Sequence, residues 1–218
     1  MTPYDPELFD LILKKYKDRF LILTFKAGYA GNLVSRIIKS SNQYHCKEDD
    51  PLRFPDSTEG FPADPFYKGL DFKVQHLACV HQEDTLNRDR NELTKKENYL
   101  EWLQILKFTD YQVNIMTHDF SLEEKYTEIK CIRIFGKFDD SYRDQRLNWN
   151  KPFTEIEPSN NKLVYNLNIN KLLSEDYDEF EDEYLKLTWA FNLDCKINSV
   201  RSFILLWREK QKRLAKYS

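Results

Sequence analysis

The sequence predicts an α/β protein, a mostly parallel sheet flanked by helices in three layers, and three observations carry that expectation. Phe20–Phe25 is a continuous run, apolar but for Thr24, the pattern of a strand buried on both faces. The run turns through glycines into a one-sided helix, whose apolar positions are Leu33, Val34, Ile37 and Ile38. Further apolar runs then alternate with helical patterns, as βαβ connections require. A length of 218 residues suits one such domain spanning 1–218.

The elements follow in order. Asp5-Pro6 supplies an N-cap residue and a proline at the first helical position, and Leu8, Phe9, Ile12, Leu13 and Tyr16 recur on one helical face. The strand, the loop Lys26–Asn32 and the second helix come next. Residues 45–70 hold four of the eight prolines and two of the five glycines, too many for regular structure, so an irregular excursion of unusual length is expected there. Phe72–Val80 has the composition of a strand, and Asn87–Phe108 reads as a helix with Tyr99, Trp102, Leu103 and Leu106 inward. Tyr111–Thr117 and Ile129–Phe135 read as two strands separated by a polar, helix-compatible Ser121–Thr127. Leu163, Tyr165, Leu167 and Ile169 recur at every second position, with Asn166 and Asn168 among the residues between them, as on a half-exposed edge strand. Two helices close the chain, one with Tyr177, Phe180, Tyr184, Leu187 and Phe191 inward, the other with Val200, Phe203, Ile204, Trp207 and Leu214 inward.

Composition narrows the function. The 33 Lys+Arg against 36 Asp+Glu give a net charge of −3, which argues against a generally basic nucleic-acid binder. Apolar residues make up 41% and aromatics 15%, enough for a sizeable core. The apolar stretches, such as Phe203–Trp207, are far shorter than the roughly 20 residues of a membrane helix, so no membrane association is expected. Acids near the N-terminus replace the basic region of a secretory signal, and Cys46, Cys79, Cys131 and Cys195 show no paired spacing. A cytoplasmic protein with reduced thiols is the expectation.

The glycine loop carries the most chemistry. A buried strand turning through glycines into a helix start aims backbone N–H groups at one concavity, where the helix dipole also favours negative charge. Residues Lys26, Ala27, Gly28, Tyr29, Ala30, Gly31 and Asn32 therefore form a candidate phosphate or sulfate cradle. Gly28 and Gly31 are three apart, with Asn32 and Leu33 following where a magnesium nucleotide hydrolase needs lysine and a hydroxyl residue. The plainer alternative is a tight turn that uses glycine for backbone shape alone.

These features resemble the sulfotransferase-like branch of the P-loop proteins, particularly short divergent members of the kind that viruses and phages encode. Lys26-Ala27-Gly28 is similar to the family's Lys-Ser-Gly-Thr-Thr loop, and a second register matches Gly31-Asn32 with Tyr29 at the lysine position. Thr117-His118 resembles the family strand ending in Thr-His, and Arg133 and Ser141, eight apart, resemble its arginine and serine that bind the donor's 3′-phosphate. Arg143 and Arg146 are further candidates for that contact. The segment from Leu163 through Asn170-Lys171 to Trp207 and Gln211 also looks like the short viral members. The likeness touches residues 20–42, 110–151 and 163–218. It implies a P-loop-like sandwich that binds 3′-phosphoadenosine 5′-phosphosulfate without a metal and moves its sulfuryl group to a hydroxyl on a small molecule or glycan. Lys26 would neutralise charge on the transferring group and His118 would act as general base. A divergent nucleotide or nucleoside kinase, and a non-catalytic binding protein on a degenerate P-loop fold, are the rival readings.

Two other clusters have plainer explanations. His76, Cys79 and His81, with His45-Cys46 upstream, are zinc-type ligands, but on a strand residue 76 would face opposite to 79 and 81. The seven carboxylates of Ser174–Glu183 read as a solvated helix face.

Overall fold

The computed structural model describes residues 6–26, 30–44, 52, 96–117, 119–137 and 155–216. In chain order these form helix α1 (Pro6–Lys15), a 3-10 turn (Lys17–Arg19), strand β1 (Phe20–Thr24), α2 (Gly31–Lys39), α3 (Lys96–Phe108), β2 (Val113–Thr117), α4 (Leu122–Lys125), β3 (Lys130–Phe135), β4 (Val164–Asn168), α5 (Ile169–Leu172), α6 (Tyr177–Phe191) and α7 (Ile197–Lys216). The expected strand at Phe72–Val80, the excursion at 45–70, most of it, and the His76, Cys79 and His81 cluster lie outside the described residues.

The four described strands pair in the order β2-β1-β3-β4, all parallel. All five residues of β1 are buried, Thr24 included, as expected of a strand with a neighbour on each side and helices on both faces. Side chains alternate across the sheet and feed two separate cores. Leu21, Leu23 and Phe25 join Met116, Ile132, Ile134 and Leu167 beneath α2, α5, α6 and α7. Phe20 and Ile22 join Val113, Ile115, Cys131 and Val164 beneath α1, α3 and the α4 segment. The result is three layers, as expected.

Local chemistry accounts for the helices. On α1, Phe9, Ile12 and Leu13 are buried, and Phe9 meets Trp102 of α3 with ring centroids 6.1 Å apart. The α3 face turns Trp102, Ile105 and Leu106 inward, and Trp102 stands edge-on to Phe20 at 5.9 Å. At the start of α6 the Asp176 carboxylate accepts from the amides of Asp178 and Glu179, an N-cap. Asn192, in the left-handed region at φ 53°, ends that helix. On α7, Val200, Phe203, Ile204 and Trp207 are buried, as the spacing predicts. No described helix is long and apolar enough to cross a membrane.

Two expectations need correction. Tyr177 does not share the buried face of α6: it is 44% exposed and its hydroxyl bonds to Glu181. The acidic stretch is not wholly solvated either, because Glu183 is buried and accepts the amide of Asn168 at 2.7 Å, ending the β4 ladder with a side chain. At the end of β3, Gly136 has φ 109°, a conformation that glycine adopts without strain, and exchanges backbone hydrogen bonds with Ile156 at 2.9 and 3.1 Å.

Burial pushes the Glu183 carboxyl above its ordinary value near 4.5, partly opposed by the Asn168 amide and by Lys186 and Lys171. A carboxyl whose value rises on folding opposes folding once ionised, and that opposition sets in as pH climbs from the unfolded value through the folded one. Glu183→Gln keeps an oxygen for the Asn168 amide without the charge. Its melting temperature should therefore exceed the parent's at pH 7, with the difference vanishing below pH 4.5, as followed by circular dichroism. A variant less stable at every pH would contradict the assignment.

Candidate functional site

The strand order fixes where a site can form. From β1 the chain travels to β2 on one side, whereas from β3 it travels to β4 on the other, so the connections diverge outside the C-terminal ends of β1 and β3. Open parallel sheets bind ligands at such a divergence.

At that edge Thr24 is level with Thr117 of β2 and with Arg133 of β3. The Phe25 amide donates to the Thr117 carbonyl at 3.1 Å, extending the β1–β2 pairing by one residue. The segment following β1 and the segment following β2 thus leave the sheet side by side. Lys26 is exposed just beyond Phe25. Ala30, in the left-handed region at φ 54° and ψ 25°, is the N-cap of α2, and its carbonyl accepts the Val34 amide at 3.1 Å. Gly31 and Asn32 open the helix, whose first-turn amides have no acceptor within it.

Gly31 has a local explanation. A Cβ built on it would lie 2.3 Å from Cε2 of Phe25, whose ring is buried against this turn. Glycine at 31 is therefore required by the approach of Phe25, with or without a ligand.

Beneath the edge lies a charged cluster. Arg133 does not emerge past the end of β3: its side chain shares a face with Cys131 and Phe135 and grips Glu123 of α4 in two hydrogen bonds, Nε to Oε1 at 3.0 Å and Nη2 to Oε2 at 2.6 Å. The Glu123 side chain is 1% exposed and also accepts the Thr24 hydroxyl, which stands 3.2 Å from the Ile132 carbonyl. The Arg133 guanidinium covers the Phe120 ring at 4.9 Å. Asn161 donates to the Glu123 carbonyl at 3.3 Å, so the cluster reaches the turn before β4. Burial, with the Glu123 charge adding to it, pushes the Cys131 thiol far above its ordinary value, so it stays an unreactive thiol. The turn after β2 is built by Asp119, whose amide donates to the Thr117 hydroxyl at 3.0 Å and whose carboxylate accepts the Ser121 amide at 2.9 Å.

Of the residues singled out in the sequence, the structure brings Lys26, Ala30, Gly31 and Asn32 to the edge beside Thr117, and sets Arg133 below it in the grip of Glu123. Ala27, Gly28, Tyr29, His118 and Ser141 lie outside the described residues, as do Arg143 and Arg146. Glu123 was missed. The signal for it was Arg133 itself, a cation inside the apolar run Cys131–Phe135, which demands a buried counter-charge. Among the described residues no group of three or more His, Cys, Asp or Glu is placed to hold a metal ion.

Geometry and topology together define the class: a three-layer α/β protein whose four described strands form an all-parallel sheet, with the start of α2 following the C-terminal end of β1. No family model, curated protein or solved structure matches the chain.

Two measurements test this description. Glu123→Ala strands the Arg133 guanidinium and should cost about 3 kcal/mol in urea unfolding, whereas Glu123→Leu with Arg133→Met, which removes both charges, should cost much less. Equal losses would show that the pair has no mutual role. Gly31→Ala forces Phe25 aside and should cost about 1–3 kcal/mol. Combined with Phe25→Leu, it should cost less than the sum of the two single changes.

Proposed function

We propose that this protein transfers the sulfuryl group of 3′-phosphoadenosine 5′-phosphosulfate to the hydroxyl of a small molecule or glycan. The supporting observation is the side-by-side exit of the β1 and β2 segments at the strand-end crevice, with Phe25 hydrogen-bonded to Thr117 and the α2 helix start alongside. On this reading Lys26 and the first-turn amides of α2 offset the negative charge of the transferring group. His118, which follows Thr117 in the chain, takes the acceptor's proton as its oxygen forms the new bond to sulfur. The bond from sulfur to the 5′-phosphate oxygen breaks, and its electron pair leaves with 3′-phosphoadenosine 5′-phosphate. We also propose a cytoplasmic setting, where thiols such as Cys131 and Cys195 remain reduced.

A second reading draws on a specific observation. Arg133, assigned to the donor's 3′-phosphate by the sulfotransferase resemblance, already holds Glu123, and Gly31 is already occupied by Phe25. Both arrangements favour a non-catalytic binding protein that keeps the fold but has lost the donor site.

Calorimetry with 3′-phosphoadenosine 5′-phosphate separates these readings. Magnesium-independent binding that Lys26→Ala weakens by about tenfold supports the transferase. Magnesium-dependent ATP binding would instead indicate a nucleotide or nucleoside kinase, and binding of neither would leave the non-catalytic reading. His118→Ala should abolish transfer while leaving donor binding near normal, because the histidine acts on the acceptor. Undiminished transfer in that variant would remove His118 from the mechanism.

A further inference from the structure

Away from the strand-end crevice, at the other end of the strands, the structure holds a cavity of about 590 Å³. It lies between the residues that follow α2, the loop joining α6 to α7, and the first turns of α7. Because α2 runs back along β1, its last residues reach the edge where the strands begin, and Tyr44 bridges there to Gln112 just ahead of β2. A volume of this size falls in the range of about 300–1,000 Å³ that small-molecule sites occupy.

The walls are fixed by the chain itself. On Oδ1 the Asp194 carboxylate accepts the Ser41 hydroxyl at 2.6 Å and the Asn42 backbone amide at 3.0 Å, and on Oδ2 it accepts the Asn42 side chain at 2.7 Å. Gln43 donates to the carbonyls of Phe191 and Asn192 at 2.9 and 3.2 Å, and the Tyr184 hydroxyl donates to the Cys195 carbonyl at 2.6 Å. The space is preformed, so a ligand need not spend binding energy on ordering it.

Three kinds of group face that space. Lys196 brings a positive charge to the lining, and neither it nor the hydroxyls of Ser199 and Ser202 has a hydrogen-bond or ion-pair partner among the described residues. Asp194 supplies the opposite charge. Its donors, the Ser41 hydroxyl foremost, hold the carboxyl below its ordinary value near 3.8, and Oδ2 keeps an acceptor position open. Leu52, Phe203 and Leu206 add apolar surface. The Cys195 thiol is already spent, donating to the Ile37 carbonyl at 3.3 Å. Steps of three, three and four residues lead from Lys196 to Ser199, Ser202 and Leu206, so one face passes from charge through hydroxyls to apolar surface.

Charge balance selects the ligand. A simple anion drawn to Lys196 also meets Asp194, and a simple cation drawn to Asp194 also meets Lys196. A molecule carrying both charges satisfies both, and an apolar side chain on it covers Leu52, Phe203 and Leu206. We propose that this cavity binds a small zwitterion with an apolar side chain, the chemistry of a free amino acid or dipeptide. Its carboxylate pairs with Lys196 and Ser199, and its ammonium takes the open position on Asp194. This proposal is independent of the activity proposed above.

Titration calorimetry of the full chain with L-leucine and with L-leucyl-L-leucine tests it. At least one should bind saturably below about 10 mM. Acetylating the amine or amidating the carboxylate of that probe should each weaken it by at least about tenfold, and so should replacing its side chains by those of glycine. Lys196→Ala should weaken the zwitterion by about tenfold yet leave the amidated form unchanged, a split that a merely structural lysine would not give. Ser202→Trp fills the cavity from an exposed position and should abolish binding while the melting temperature holds. No saturable binding of either probe up to about 10 mM overturns the proposal, as does equal binding of the acetylated or amidated forms, or binding that both variants leave unchanged. Acetate bound as tightly as either probe would reveal a plain anion site, and would also overturn it.

Discussion

Burial of β1 on both faces forces polar groups near its C-terminal end to find partners inside the protein, and Glu123 is the partner they share. The carboxylate holds Thr24 of β1 and Arg133 of β3, and its backbone carbonyl holds Asn161 ahead of β4. Because Glu123 lies in the crossover from β2 to β3, one side chain ties that crossover to the central strand it passes over. Removing both charges in favour of apolar groups need not cost stability in a site this dry, whereas removing one strands the other. The arrangement therefore constrains geometry: it holds the end of β1 at one height relative to β3, and Phe25 and Lys26 beyond it inherit that height.

The sheet was legible because its strands obey simple local rules. Phe20–Thr24 announces a doubly buried strand, and the one-sided spacing of α1, α2 and α7 follows from helix geometry acting on apolar residues. Tyr177 misled because periodicity alone cannot distinguish the first residue of a buried face from the last exposed one, and at the start of α6 the chain has not yet turned under the core. Glu183 misled for a different reason. Nothing in a run of acids says which one will end a distant ladder, and Asn168 lies fifteen residues earlier.

The candidate site was legible only in outline. Strand, glycine and helix could be read in succession, and so could the thought that Thr117 would end near them. That β2 would lie directly beside β1 depends on long-range pairing, which no local pattern encodes. Likewise the Phe25 ring against Gly31 is a tertiary reason for a glycine that the sequence offered equally as a ligand cradle. Arg133 illustrates the same ambiguity for charge: a cation on a strand can face a ligand or a buried acid, and only the placement of α4 decides.

The backbone bridge between Gly136 and Ile156 has a meaning for how such a chain can change over evolutionary time. It clasps the two ends of the intervening stretch at its base, as the bridge between Tyr44 and Gln112 clasps the stretch between those residues. Each clasp is made by backbone groups, so it fixes where the chain leaves and rejoins the sheet without calling on a particular side chain. That independence lets the four paired strands hold their register while the sequences around the clasps drift.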